Sequence, residues 1–325
     1  MSDLKYVYAV ARIRVKEKTL LTDADISQMT AMKDEKAVLG YLTDRGWGDS
    51  GNGPQENADA VLRAEEEKTL QLVRELKIDP AVFELLSYPQ IYHNLKAGIK
   101  ELCTSDSNPE AFYPDEKYGR EEIRRILSEK DYKALPEHMR AAAENAYETM
   151  LKTRDGQRCD IIVDRACLDA MEAAGRKSKN KLLRDYEEST VAVADIRIAV
   201  RGLRTGKSAA FLKEALAPCD SLDVRKLAVA ASESEEALIS YLETHGFREG
   251  AEALKESSSA FERWCDNRLI ATIRPEKMNS VSMGPIIAYY LARLNEIKTV
   301  RIILTAKANG FTEEETRERV RDMYA

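Results

Sequence analysis

The chain has 325 residues, with 33% charged, 7% aromatic, 15 glycines, 9 prolines and a formal net charge of −6. That mixture favours many charged helices over a β-rich fold. The acidic balance excludes nucleic acid as the main partner, because phosphate binding needs a basic footprint.

The first residues, MSDLKYVYAV, hold no apolar signal core, and no run reaches the ~18 uncharged apolar residues of a membrane span. The five cysteines, without a C-x-x-C pair, therefore read as reduced thiols of a cytoplasmic chain.

Leu4–Lys18 reads as a helix with Tyr6, Val10 and Ile13 on one face and Arg12, Arg14, Lys16 and Lys18 on another. Short helices follow over Asp23–Met32 and Asp34–Asp44, ending at Gly46-Trp47-Gly48, and Asp49–Pro54 is a loop by composition. Asn57–Leu76 is a long charged helix with a thin stripe of Leu62, Leu70, Val73 and Leu76. Pro80 starts a short helix, Pro89–Leu102 forms the next, and Thr104–Tyr113 is a polar break. Helices are expected over Arg120–Lys130, Pro136–Arg154, Cys159–Ala174, Lys181–Leu203, Asp223–Ala231, Glu235–Glu243, Gly250–Glu256 and Ala260–Leu269. None of these segments alternates apolar and polar residues as a half-buried strand would, so the fold class is all-α.

The last stretch, Gly284–Ala325, reads as two helices. Pro285 suits a first turn, and Ile287, Leu291, Leu294, Ile297 and Val300 form one apolar face. Arg293, Glu296, Lys298 and Arg301 interrupt that face. Asn309-Gly310 closes the helix, and Thr312 with Glu315 forms a T-x-x-E capping box opening a short helix that ends at Tyr324.

A repeat is visible. KAVLGYLTDRGW (36–47) and EALISYLETHGF (236–247) share one pattern, x-A-φ-φ-x-Y-L-x-x-x-G-aromatic, 200 residues apart. A helix with a small-or-Val–Arg step lies upstream of each, at Ala11-Arg12 and Val200-Arg201, and a third step, Val300-Arg301, precedes the closing helix. This predicts one supersecondary unit used three times, a long helix followed by a short one.

Glu296-Ile297-Lys298, Val300-Arg301, Lys307-Ala308-Asn309-Gly310, Glu313-Glu314-Glu315 and Tyr324 together resemble the C-terminal signature of the C/AC39 family, the C subunits of V/A-type ATP synthases and the related d subunits of V-ATPases. Thr299 departs from the Asn expected there. The resemblance implies a funnel of three similar helical subdomains about a pseudo-threefold axis, here 1–110, 111–217 and 218–325, with the first helix beside the Gly284–Ala325 hairpin. It further implies a non-catalytic rotor adaptor joining the central stalk to the membrane rotor ring. Such an adaptor is peripheral, on the cytoplasmic side, without cofactor, metal or small-molecule substrate.

Other readings compete with that one. Gly202–Ser208 (GLRTGKS) imitates a phosphate-binding loop, but its first Gly is one residue too near and a long helix precedes it where a strand is needed. Gly206 reads better as a helix end, and Ser208 as the next cap. His93, His138 and His245 have no metal-ligand spacing, and the runs Glu65–Glu67, Glu121-Glu122, Glu187-Glu188 and Glu313–Glu315 read as solvated faces. Asp160 and Asp164 share a helix face and should ion-pair with neighbours, and Arg176–Lys181 is a basic interhelical turn. No catalytic set emerges. The candidate contact residues are Arg12, Arg14, Arg201 and Arg301, which either satisfy carbonyls and carboxylates between subdomains or line a socket for a partner. A free-standing helical-repeat scaffold is the alternative function.

Overall fold

The computed structural model describes residues 6–49, 57–76, 80–104, 107–280 and 282–325. Leu4 and Lys5 of the expected first helix, residues 50–54 of the expected loop and residues 105–106 of the polar break lie outside them. Among the described residues the regular structure is entirely helical, as composition and periodicity predict. The chain forms two compact units, one of residues 1–78 with 247–325 and the other of residues 79–246.

In chain order, the first unit opens with α1 (Val7–Glu17), α2 (Asp23–Ala31), α3 (Glu35–Asp44) and α4 (Ala58–Glu75). The second unit holds α5 (Pro80–Thr104), α6 (Arg120–Glu129), α7 (Glu137–Thr153), α8 (Gly156–Lys177), α9 (Lys181–Arg204), α10 (Ala209–Ala215), α11 (Val224–Glu233) and α12 (Glu235–Thr244). The first unit then resumes with α13 (Arg248–Glu256), α14 (Ser258–Ile273), α15 (Gly284–Ala308) and α16 (Glu313–Arg317).

Two boundaries differ from expectation. The helices expected at Pro80 and Pro89 are one continuous helix, with Pro89 inside it. That helix packs on α6, α7 and α8, and burial of Leu85, Ile91, Tyr92, Leu95 and Ile99 outweighs the local cost of the proline. The closing helix stops at Arg317 rather than Tyr324. Its Thr312–Glu315 capping box forms as read, and beyond it Met323 and Tyr324 turn inward and are buried.

Unit 1 is built around α15. That helix packs against α4, α1, α3, α14 and α2, and is buried on nearly every side rather than on one stripe. Leu21, Met29, Val38, Leu42, Trp47, Leu62, Val300 and Ile303 form the adjoining core. In unit 2, α9 packs on α8, α10 and α11, and α8 is flanked by α5 and α7.

The two sequence repeats are the same local structure. Asp34 and Ser234 cap α3 and α12 by accepting from the Ala37 and Ala237 amides. Tyr41 lies under the Arg45 guanidinium at 5.0 Å, and the Tyr241 ring stacks on His245 at 4.0 Å, the same i,i+4 pair in both copies. The Tyr41 hydroxyl donates to Asp25 and the Tyr241 hydroxyl to the Asp223 carbonyl, each tying the second helix of its hairpin to the first. Gly46 and Gly246 then take φ of +82° and +85°, which glycine alone adopts without strain. The aromatic that follows is buried in each case. Arg293 lies 5.0 Å over Trp47, and Arg268 lies 4.6 Å over Phe247.

One substitution tests how tightly this packing is set. A Cβ on Gly250 of α13 would stand 2.6 Å from the Trp264 ring of α14. That ring is held between Phe261, stacked at 5.9 Å, and Phe247, edge-on at 6.4 Å. Gly250→Ala is therefore expected to lower stability by about 1–3 kcal/mol, although alanine is the better helix former by ~1 kcal/mol. A raised thermal midpoint by circular dichroism would show that Trp264 can move aside.

Candidate functional site

The four arginines singled out from the sequence stand on α1, α9 and α15. Arg12 reaches Glu75, at the C-terminal end of α4, at 2.9 Å, and Arg301 reaches Asp59, at its N-terminal end, at 2.8 Å. Both are solvent-facing pairs, worth at most ~1 kcal/mol each. Arg14 is more enclosed. It pairs with Glu17 at 2.8 Å and donates to the backbone carbonyls of Glu276, at 2.8 Å, and Asn279. Arg201, in the last turn of α9, is exposed and has no side-chain partner among the described residues. Arg12, Arg14 and Arg301 thus belong to unit 1, and Arg201 belongs to unit 2.

The strongest electrostatic feature of unit 1 is one that sequence reasoning treats as surface. Arg293 of α15 is buried, and its guanidinium bridges Glu296 one turn on and Glu65 of α4, both at 2.5 Å. Glu296 also accepts from the Leu21 amide at 2.5 Å, and Glu65 accepts from the Gly48 amide and pairs with Lys68. Burial pushes the Glu296 carboxyl up to about 7, against the pull of Arg293 and the Leu21 amide. Arg293 loses hydration too, but the facing carboxylates outweigh that loss and hold it charged. The network thereby ties the α1–α2 connection, the α3–α4 turn, α4 and α15 together around one guanidinium.

Unit 2 holds two buried acids on one helix. Neither oxygen of Glu187 has a hydrogen-bond partner among the described residues, and burial pushes its carboxyl up to about 8. Asp195 accepts from the Ala217 amide at 2.9 Å with one oxygen and leaves the other bare; burial pushes it up to about 8 as well. Perturbed acids of this kind occur at active sites. Here no metal set accompanies them: among the described residues no cluster of His, Cys, Asp and Glu could hold a metal ion.

The remaining sequence features resolve into structure. Gly206 takes φ of +63° after α9, Ser208 caps α10, and Lys207 donates to Gln157 and lies over the Phe211 ring. A helix precedes the turn, so no phosphate cradle forms. Asp160 and Asp164 pair with Lys100 and Lys96 at 2.7 Å each. Arg176 pairs with Glu172 and Asp220, and Lys181 pairs with Asp185, as expected of a solvated basic turn. His93 contacts the Ala111 carbonyl, His138 lies against Tyr88 and Tyr92, and His245 against Tyr241. The cysteines are buried thiols, and burial pushes Cys159 up to about 11 and Cys167 and Cys219 up to about 12, which makes them poor nucleophiles.

The ATP synthase (C/AC39) subunit family matches residues 9–319. The C subunit of the V-type sodium ATPase of Enterococcus hirae is 20% identical over 277 residues, covering 84% of each chain. The C-terminal signature and the extent of the family match lead to one assignment: the chain belongs to the ATP synthase (C/AC39) subunit family.

Proposed function

We propose that the chain is the rotor adaptor of a V/A-type ATPase, joining the soluble central stalk to the membrane ring on its cytoplasmic side during ATP-linked proton or sodium transport. The observation that carries this reading is the family match over residues 9–319. Further support comes from the helical body, stiffened by buried ionic contacts, and from the hairpin repeated with the same caps and ring pairs. No helix among the described residues is long and apolar enough to cross a membrane, which fits attachment through other subunits. A body of three similar subdomains, 1–110, 111–217 and 218–325, about a pseudo-threefold axis belongs to the same proposal. So does a partner-contacting role for Arg12, Arg14, Arg201 and Arg301. Charged, hydrated contacts of that kind set docking and register more than affinity.

Co-purification tests it. The tagged chain drawn from its own cells' membranes should bring the stalk and ring subunits of the ATPase, and high salt should release them. Recovery of the chain alone or with unrelated proteins under gentle conditions would replace the adaptor with a free helical scaffold.

A further inference from the structure

We propose that the outer face of α1, with Met278 beside it, is a docking surface for an acidic amphipathic helix of another ATPase subunit. This rests on the reading that the chain works inside a V-type ATPase, and adds where on unit 1 a partner sits. The inner face of α1, Ala9, Val10 and Ile13, is buried. The outer face carries Tyr8 at 72% exposure and Val15 at 64%, with exposed Ala11 between them at helical spacing and Val7 alongside. The 3-10 turn Arg274–Met278 is held to α1 by Arg14, which bonds carbonyls on either side of Met278, and Met278 is 89% exposed. Four of the eight exposed large apolar side chains in the described residues thus stand on α1 or on the turn that Arg14 bonds to it.

Charge selects the occupant. Arg12, Arg14, Lys16, Lys18 and Lys277 surround the patch, against the carboxylates of Glu17, Glu75 and Glu276, on a chain whose net charge is −6. Lys16 and Lys18 are exposed and pair with no carboxylate among the described residues. The complement is a helix with apolar residues at i, i+3 and i+7 flanked by Asp and Glu. An anionic membrane is the weaker fit. The stripe is three positions wide and lacks the Trp, Phe and Leu that seat a helix among lipid tails.

Three variants of the full chain test the proposal: Tyr8→Ser/Val15→Ser, Lys16→Glu/Lys18→Glu, and the control Leu151→Ser/Val229→Ser on exposed apolar positions of unit 2. All should keep the wild-type circular dichroism and melting profile, since every site is exposed. The first two should lower recovery of the ATPase subunits from membranes about tenfold or more, and the control should leave it unchanged. A photo-cross-linking residue at position 8 should join an acidic helical segment of a different chain of the ATPase. The surface assignment is overturned if the variants recover the ATPase as the wild type does. It is also overturned if the cross-link joins a second copy of this chain, or if wild-type but not Lys16→Glu/Lys18→Glu protein floats with phosphatidylserine vesicles. If the wild-type chain brings down no other part of the ATPase, the adaptor reading falls and this assignment with it.

Discussion

Replacing Arg293 by methionine is expected to destabilise unit 1 by about 3–5 kcal/mol at pH 8, among the largest effects available to a single substitution in this chain. Methionine matches the length of the side chain and keeps contact with Trp47, so the loss isolates the charge. Without the guanidinium, Glu65 retains Lys68 and the Gly48 amide, while Glu296 retains only the Leu21 amide. Glu296 is then a buried carboxylate with no counter-charge, and protonating it relieves the penalty. The deficit should therefore shrink as pH falls from 8 to 5, opposite to the loss of a surface ion pair, which changes little over that range. Adding Glu65→Gln and Glu296→Gln to Arg293→Met should recover most of the stability, so that the three substitutions are strongly non-additive. Urea midpoints at pH 5 and pH 8 measure all of this. A single-substitution cost under ~1 kcal/mol at pH 8 would mean that water reaches Glu296 and that the network is not the anchor of α15.

Only half of that anchor is legible in the sequence. Periodicity locates α15, and Pro285, Asn309-Gly310 and the Thr312–Glu315 box mark its ends, because those signals act within a few residues. The family resemblance rests on the same stretch and is confirmed over residues 9–319. What periodicity treats as an interruption, however, is decided by what packs opposite. Arg293 and Glu296 break the apolar face in one dimension, yet α4 supplies Glu65 to meet Arg293, Arg293 and the Leu21 amide meet Glu296, and only Lys298 and Arg301 stay exposed. A signal is present in Glu65 itself. It falls between Leu62 and Thr69, in step with the buried stripe, whereas Glu66 and Glu67 do not. Reading the acidic run as one solvated face averages over that difference. The same holds on α9, where Leu183, Glu187, Val191, Asp195 and Ala199 follow at four-residue steps, and all are buried. Pro89 shows the opposite limit, a local breaking signal overridden by packing on three neighbouring helices.

Glu187→Gln is expected to stabilise unit 2, by an amount that grows with pH. The Glu187 Cβ and Cγ lie against Gly175 of α8, the carboxyl is within the influence of Tyr88 of α5 and Cys167 of α8, and neither oxygen has a partner among the described residues. Its folded pKa of about 8 stands well above the ~4.3 of an unfolded glutamate. Below pH ~4.3 both states carry the proton, and the group costs only its unmade hydrogen bonds. Between ~4.3 and 8 the folded state holds a proton that the unfolded state has released, so stability falls as pH rises. Above 8 the folded carboxyl must ionise in the core, and the deficit is complete. Glutamine cannot ionise, so the variant and the wild type should unfold nearly alike near pH 4.5, and the variant should lead by about 4–5 kcal/mol at pH 8.5. Asp195→Asn should follow the same direction with a comparable gain, because burial holds the Asp195 carboxyl at about 8 even against the Ala217 amide and Arg165, which both favour its charged form. Equal urea midpoints for Glu187→Gln and wild type across pH 4.5–8.5 would mean that the carboxyl is solvated or bonded in solution. A pH-dependent lead for the variant would mark Glu187 as a group held in the core at a standing cost to the fold. Such a cost is kept where a residue has work beyond stability. Assembly of the Glu187→Gln chain with the ATPase subunits is the readout for that work: a stabler unit 2 with weakened assembly would tie the buried acid to the proposed adaptor function.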